Sequence, residues 1–395
     1  MSKKIWVAVV IGIMVVGGAA VLVHKEGRVF DERFLALDGR RITPDAVVKT
    51  VEHDRDFFSR RVGVTVERDG LKVLDLEGVA RLGWGVSMDL RETTDSRLNE
   101  LMKERGFKDF NANLKVKASP VGGKIKLVWD IDPVDYERRG LVCRLPTSSF
   151  QVLLSGGSSE ILFKAPSVEC TYLGNPFTVS SPVFKAQTNL KHRNVARDGS
   201  IELHAGPVTG EVKGYGKWSV KSLEGSKKLD LIEGSPDKNP LYLSHILWKL
   251  EDLEVEGRGS VSTVTGDVYV DRFPGRLLDS VVNRPVDDPG CISIAREAYE
   301  KGGMKLIVRN VDVESHGKHS FFNGTFEATG LPGRARDAGT FHLSINPKSW
   351  TGFPELKENL DAMADIGTLF FKEGIYSAVL QFGPEGVLMN GRTIR

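Results

Sequence analysis

The sequence has few of the residue types that build most catalytic and metal centres. Its 395 residues include three cysteines and eight histidines, too few cysteines for a disulfide-rich scaffold or a cysteine-rich zinc site. Neither charge is in surplus, because 54 basic residues stand against 52 acidic ones. Nucleic-acid-binding proteins usually carry a basic surplus, so we expect no nucleic-acid partner.

Sequence motifs of the common enzyme classes are also missing. The chain has no GxxxxGK[ST] phosphate-binding loop, no GxSxG nucleophile turn and no HExxH zinc helix. His316 and His319 have the spacing of a metal pair, but a glycine and a lysine lie between them, which favours a solvated turn. We therefore predict a protein that is not an enzyme and that has no catalytic residue, metal site or cofactor.

One long hydrophobic run is present, at the N-terminus. Ile5 to Val23 carries no charge, and as a helix it would span about 28 Å, close to the ~30 Å core of a bilayer. The preceding Lys3 and Lys4 favour a cytoplasmic tip and export of the rest of the chain. A signal peptide cleaved near Gly18-Ala19-Ala20 is the alternative, but the run continues beyond that site. We expect a single-pass protein of the bacterial inner membrane with the bulk of the chain in the periplasm.

Most of the remaining chain alternates apolar and polar residues, which is typical of half-buried β-strands. The longest such run, Leu74–Leu90, predicts one long strand. Two shorter runs, Ala112–Ala118 and Ile125–Ile131, surround a glycine-rich turn and predict an antiparallel hairpin. A second hairpin is predicted at the C-terminus around the turn Gly383–Gly386, followed by a left-handed turn at Asn390-Gly391. More than ten such runs predict a mainly β fold with a few helices, of the α+β class.

Helices are expected at five places. One follows the cap Thr43-Pro44-Asp45 and reaches Phe58, and one opens at Asp95 and ends at Gly106. The others cover roughly 274–282, 292–301 and 354–366, and 240–250 is ambiguous between helix and strand. A faint repeat relates Leu250–Val255 to Val308–Val313; it is either a chance likeness or a sign of neighbouring strands in one long sheet.

The expected domain organisation places two β-rich halves behind the anchor. Its parts are a cytoplasmic tip at 1–4, the transmembrane anchor at 5–23, a linker at 24–41, a first β-rich half at 42–232 and a second half with helices and the C-terminal hairpin at 233–395. The boundary between the halves is based on turn residues clustered around 224–240.

The apolar faces of the predicted sheets need cover. Either two curved antiparallel sheets close on each other as a sandwich, or one sheet curls into an open groove whose apolar lining holds acyl chains. For the groove we expect a lining from the first half, formed by Leu82, Trp84, Val86, Met88, Leu127 and Trp129.

Two of the three cysteines fall on apolar faces of predicted strands. Cys143 and Cys170 either form a disulfide bond between neighbouring strands in an oxidising periplasm or remain two buried free thiols. Cys291 would be left over.

The arrangement resembles the YdgA-like family, a bacterial family of unknown function with one N-terminal membrane helix and a large periplasmic part. The segment Arg55–Arg61 leading into Val62–Val66 is similar to the family's aromatic-serine step into its first strand. The segment Gly374–Phe382 followed by Gly386–Gly391 is similar to the family's closing hairpin. The resemblance implies no catalytic residue.

Two hypotheses of different class follow for the function. The first is a membrane-anchored envelope protein that acts as a binding or scaffolding module. The alternative is a lipid-handling protein, similar to AsmA-like carriers, that holds acyl chains in a β-lined groove. The expected partners are the inner membrane, through Ile5–Val23, and a lipid or an envelope protein; the sequence does not predict an oligomeric state.

Overall fold

The structure, a computed structural model, describes residues 34–393 except for 36–37, 40, 44–45, 57–58, 69–70, 83–85, 94–96, 105, 119–123, 156, 193–194, 237–239, 276, 278–292, 294–302, 329–337, 351–353 and 384–385. The predicted anchor Ile5–Val23 lies outside these residues, as do Trp84 and Cys291. The helices expected at 274–282 and 292–301 fall largely on the gaps.

The described residues divide into two compact units. The first contains those up to Gly174 together with Ser181–Asn189, and the second contains Asn175–Ser180 and those from Leu190 onward. The boundary expected near residue 232 falls inside the second unit, between two strands that pair along most of their length.

The elements up to residue 192 belong to the first unit, apart from β14. They are β1 (Arg41–Thr43), β2 (Ala46–Arg55), β3 (Ser59–Arg68), β4 (Leu71–Leu82), β5 (Val86–Glu92), α1 (Leu98–Glu104), β6 (Phe107–Lys108), β7 (Ala112–Ala118), β8 (Ile125–Ile131), β9 (Val134–Arg138), β10 (Leu141–Leu145), β11 (Ser148–Ser155), β12 (Ser158–Lys164), β13 (Ser167–Tyr172), β14 (Asn175–Ser180) and β15 (Val183–His192).

The remaining elements belong to the second unit. They are β16 (Val195–Ala205), β17 (Val208–Val212), β18 (Gly216–Leu231), β19 (Leu241–Val255), β20 (Gly259–Pro274), β21 (Met304–Ser315), β22 (Lys318–Ala328), β23 (Ala338–Ile345), a 3-10 helix (Pro347–Trp350), α2 (Pro354–Asp365), β24 (Phe370–Lys372), β25 (Ile375–Gly383), β26 (Gly386–Met389) and β27 (Arg392–Thr393).

In the first unit, strands pair antiparallel in the order β1-β2-β3-β4-β5-β7-β8-β11-β12-β15. A smaller ladder has the order β6-β9-β10-β13. Apolar side chains from one face of the ten-stranded order pack into one core with Phe34, and Leu98 of α1 packs against it.

In the second unit, a meander of long strands runs β18-β19-β20-β21-β22-β23-β25, again antiparallel throughout. Strands β16 and β17 share the free edge of β18, and β14 pairs with β17. Strands β24 and β26 share the far edge of β25, and β27 pairs with β26. The prediction of a mainly β, antiparallel fold is confirmed.

Two predicted details of the turns and helices agree with the structure. The hairpins at 112–131 and 375–389 are present, and Asn390 and Gly391 have φ values of 51° and 78°. The helices expected from Asp95 and over 354–366 correspond to α1 and α2. The ambiguous stretch 240–250 is strand.

The helix predicted from Thr43 to Phe58 is wrong, because this segment forms β1 and β2. Val48 and Thr50 are buried while Lys49 and Val51 are exposed, so the burial period is two. The hydroxyl of Thr50 donates a hydrogen bond of 3.0 Å to the carbonyl of Phe34. A run of β-branched residues favours strand, and pairing with β3 outweighs the capping signal.

The single strand predicted over Leu74–Leu90 is also wrong, since the chain reverses and β4 pairs with β5. Leu82 faces Val86 and Ala80 faces Met88. Paired residues are an even number of positions apart here, so the alternation passes through the turn without a change of phase. The period alone could therefore not reveal the turn.

Asp75 is a buried charge of the β3-β4 ladder. Burial raises the pKa of its carboxyl, but hydrogen bonds from Thr65, Thr93 and Lys72 outweigh this effect and hold the pKa below its ordinary value. The Thr93 hydroxyl lies 2.8 Å and the Lys72 ammonium 3.2 Å from this carboxylate. Asp75 is thus a stabilising anion in the first unit.

Candidate functional site

The structure places five of the six predicted groove-lining residues in the core of the first unit, and the sixth, Trp84, lies outside the described residues. Val86, Met88 and Leu127 are 3%, 0% and 0% exposed, and Leu82 and Trp129 pack against the same core. At these exposures the side chains fill an interior and do not line an open groove. The prediction that these residues form a groove is corrected accordingly.

A comparable set of apolar residues in the second unit is buried less completely, because Leu229, Val308, Phe341 and Ala378 are buried but the other apolar side chains are half-buried. Three cross-strand rows cross the seven strands of the meander, and we call their common side the apolar face. The rows are Gly225-Trp248-Gly266-Val311-Phe322-Leu343-Ala378, Lys227-Ile246-Val268-Val308-Gly324-Phe341-Leu380 and Leu229-Ser244-Val270-Leu306-Phe326-Gly339-Phe382.

Exposure distinguishes this face from the core of the first unit. The equivalent first-unit row Ala80-Met88-Val116-Leu127-Val152-Ile161 has exposures of 0, 0, 1, 0, 1 and 7%. On the apolar face, Ile246, Trp248, Val268, Leu306 and Phe322 remain half-buried. The same kind of sheet is thus filled in one unit and partly open in the other.

Aromatic rings lying on glycines shape the apolar face. A Cβ atom added to Gly266 would lie 2.0 Å from the indole of Trp248, and one added to Gly324 would lie 2.6 Å from the ring of Phe341. Glycine in a strand interior commonly marks such a close approach. Because the rings lie against the neighbouring strand, they cover its backbone with hydrocarbon.

The faint repeat seen in the sequence coincides with irregularities in this sheet. In β21 a bulge falls between Val308 and Val311, so both valines lie on the apolar face. In β19, Asp252 has a φ of 48°, and Leu250 and Leu253 pack against one cluster. The two segments belong to strands of one sheet that are separated by β20, and each resets the alternation by one residue.

The opposite face of the meander is polar. His245 Nε2 lies 2.8 Å from an oxygen of Asp267, and its ring stacks on Tyr269 at 3.9 Å between centroids. The guanidinium of Arg309 lies 4.3 Å from the centre of the Tyr269 ring. These side chains interact with one another on the solvated side of the sheet. The alternation of side chains along each strand thus separates a polar surface from an apolar one.

Lys227 is the one charged residue of the three rows. It faces Ile201 and Ile246 across the strands, and its ammonium lies 5.0 Å from the centre of the Phe273 ring. Burial among these side chains lowers the pKa of Lys227. In the sequence, this residue falls among the turn residues clustered around 224–240, and the structure places it within β18.

An open depression of about 860 Å³ lies in the same unit, beyond the irregularity at Asp252. Phe177 and Trp218 supply its apolar wall. Its charged lining comprises Glu211, Glu254, Glu256, Lys217 and Arg258, so acidic side chains outnumber basic ones there.

Among the described side chains, no group of three or more His, Cys, Asp or Glu residues is arranged to hold a metal ion. His316 and Gly317 form the turn between β21 and β22 with positive φ values of 53° and 69°. His319 lies on β22 instead, with its Nδ1 atom 3.0 Å from Asp312.

Cys143 and Cys170 face each other on β10 and β13, in the small ladder of the first unit. Their sulfur atoms form a disulfide bond, with Cα atoms 4.0 Å apart and a sequence separation of 27.

Within the described ranges, no helix combines the length and the apolar character that a bilayer crossing requires. Comparisons with protein-family models, with curated proteins and with solved structures find no match to this chain.

Proposed function

We propose that this chain is a membrane-anchored envelope protein that holds acyl chains on the apolar face of its second unit. The observation that carries the proposal is that this face is buried less completely than the equivalent cross-strand row of the first unit. Covering apolar surface is favourable by about 25 cal/mol per Å². A partly open apolar face therefore favours an apolar occupant.

The dimensions of the face suit an acyl chain. Six strand spacings of about 4.8 Å separate Lys227 on β18 from Leu380 on β25, so the row runs for about 29 Å. One leaflet accounts for about 15 Å of a bilayer core. A single chain would thus occupy about half of the row.

The expected compartment agrees with this function. The sequence predicts an anchor at Ile5–Val23, which would hold the second unit near a source of lipid. A disulfide between Cys143 and Cys170 suits an oxidising compartment such as the periplasm. Both features support an extracytoplasmic lipid-handling role.

Photo-crosslinking in cells tests the proposal. Benzoylphenylalanine is introduced into the full-length chain in a Gram-negative host at Ile246 or Trp248, and in separate variants at Leu247 or Lys249. The second pair lies on the same strand and points to the opposite face, so it is a matched control. We expect lipid adducts, identified by mass spectrometry, at the first two positions only. Equal lipid labelling of both pairs, or no lipid at Ile246 and Trp248, would contradict the proposal.

A second function, binding of an envelope protein as a scaffold, is favoured by one exposed patch. Phe370 and Phe371 at the start of β24 are 59% and 57% exposed, Ile366 between α2 and β24 is 70% exposed, and Ile375 at the start of β25 is 38% exposed. Exposed aromatic and apolar residues of this kind are typical of protein-binding surfaces. The crosslinker at Phe371 tests this function: a discrete protein adduct there supports it, and its absence argues against it.

A further inference from the structure

Two polar side chains interrupt the apolar face at neighbouring positions. Lys227 and Ile246 form one cross-strand pair, and Leu229 and Ser244 form the next pair along the same two strands. Lys227 and Ser244 are therefore diagonal neighbours, a separation that a long side chain can bridge. Both belong to the apolar rows and not to the polar side of the sheet.

Ser244 is buried without a hydrogen-bond partner. The residue is 1% exposed, and its hydroxyl oxygen makes no hydrogen bond to any described atom. An unsatisfied buried hydroxyl costs about 1–3 kcal/mol. Such a group suggests that a partner is supplied from outside the chain.

Lys227 also has no carboxylate partner among the residues that the structure describes. Its ammonium contacts the ring of Phe273 on β20. Phe273 pairs with Tyr242, which is two residues from Ser244 on β19. The lysine side chain is thus directed toward the side of its row on which the serine lies. A cation and a hydroxyl donor lie next to each other at the β18 end of an apolar row.

The open depression near Trp218 is a weaker candidate for an anion. It contains three carboxylates and two cations, so its charge opposes an anionic head group. Lys227, in contrast, is a single positive charge in an apolar environment. Charge complementarity therefore selects the Lys227 end of the face.

We propose that Lys227 and Ser244 form a subsite for the carboxylate of a long-chain fatty acid whose hydrocarbon lies along the apolar face. The inference rests on the proposed acyl-chain function and specifies its ligand. One ammonium and one hydroxyl match the two oxygens and the single charge of a carboxylate. A phospholipid would bring a second chain and a larger head group to the same half-buried position.

Binding measurements on the full-length chain in amphipol test the subsite. The probes are radiolabelled hexadecanoate, hexadecanol and hexadecyl phosphate, and the proteins are the wild type, Lys227→Met, Lys227→Arg, Ser244→Ala and Lys228→Met. Lys228 is exposed on the other side of β18 and pairs with Asp230 at 3.0 Å. Lys228→Met is therefore a matched control for loss of one lysine.

We expect the wild type to bind hexadecanoate about tenfold or more tightly than hexadecanol, as a charge-assisted hydrogen bond would give. Lys227→Met should bind hexadecanoate and hexadecanol equally. Ser244→Ala should lose part of the preference for hexadecanoate, and Lys227→Arg and Lys228→Met should keep that preference. Thermal unfolding of each variant verifies that it is folded.

Each contrary outcome has its own meaning. Equal binding of acid and alcohol by the wild type overturns the subsite but leaves acyl-chain binding intact. Tighter binding of hexadecyl phosphate overturns the choice of carboxylate. Loss of preference in Lys228→Met overturns the role of Lys227. Failure of all three probes to bind overturns the proposed function together with the subsite.

Discussion

Truncating one apolar side chain in each unit would show directly whether one sheet is filled and the other open. Leu127 is 0% exposed in the core of the first unit, and Ile246 is half-buried on the apolar face. Both substitutions to alanine, Leu127→Ala and Ile246→Ala, remove three carbon atoms. The two sites thus differ in environment but not in the amount of hydrocarbon lost.

The expected magnitudes follow from burial. Three fully buried carbons contribute about 2.4 kcal/mol at ~0.8 kcal/mol each, and the cavity left in a closed core brings the loss for Leu127→Ala to about 3–5 kcal/mol. At Ile246 the side chain is mostly but not fully buried, so most of the transfer contribution applies, and an open face leaves no closed cavity. We therefore expect a smaller loss of about 1.5–2 kcal/mol for Ile246→Ala.

Hydrogen exchange followed by mass spectrometry is the suitable assay, because it reports opening free energies for peptides of each unit separately. A global unfolding curve is less informative for a chain with two compact units. For ligand binding we expect the opposite order of effects. Ile246→Ala should weaken binding of hexadecanoate, and Leu127→Ala should not. Equal losses of stability at the two sites would refute the argument that the second face is open.

Three further perturbations test particular contacts. Removing the disulfide with Cys143→Ala and Cys170→Ala should lower the free energy of unfolding by about 3.5 kcal/mol, because the unfolded chain gains the entropy of a 27-residue loop. The double variant should also unfold at the same temperature with and without reductant. A wild type whose thermal unfolding is insensitive to reductant would contradict this. Asp75→Asn should destabilise the chain by about 1.5–3 kcal/mol at pH 7. Because the folded pKa of Asp75 is lowered, this difference should shrink as pH falls below ~3.9 through the folded pKa, and a difference independent of pH would exclude the ionised form as its source. Gly266→Val should displace the indole of Trp248, with a loss of about 1–3 kcal/mol and a shifted fluorescence maximum; an unchanged spectrum would contradict the ring-on-glycine contact.

The strand pattern was predictable because a half-buried antiparallel sheet imposes a period of two on its sequence. Hairpins with distinct turn residues, such as Gly383–Gly386, were recognised for the same reason. The reversal between β4 and β5 was not, since an even offset between paired residues keeps the alternation in phase. The segment Ala46–Arg55 was misjudged because a capping signal is local, whereas strand formation there depends on pairing with β3.

The difference between a filled and an open apolar face could not be predicted from the pattern. Met88 and Ile246 occupy equivalent positions in alternating runs, and only the three-dimensional packing decides that one is covered. A weaker signal was present in the second unit, where Gly266 and Gly324 fall at apolar positions of β20 and β22. Glycines in such positions indicate that a neighbouring ring lies on the backbone.

The proposed subsite gives Lys227 and Ser244 a physical role on the apolar face. A methionine at position 227 would cover similar surface without the cost of removing a charge from water, and an alanine at position 244 would avoid an unsatisfied hydroxyl. Both costs fall on neighbouring positions of an otherwise apolar surface. A bound carboxylate would remove both at once, by pairing with the ammonium and accepting a hydrogen bond from the serine. Binding should therefore stabilise the wild type more than Lys227→Met, and unfolding measured with and without hexadecanoate gives that difference directly.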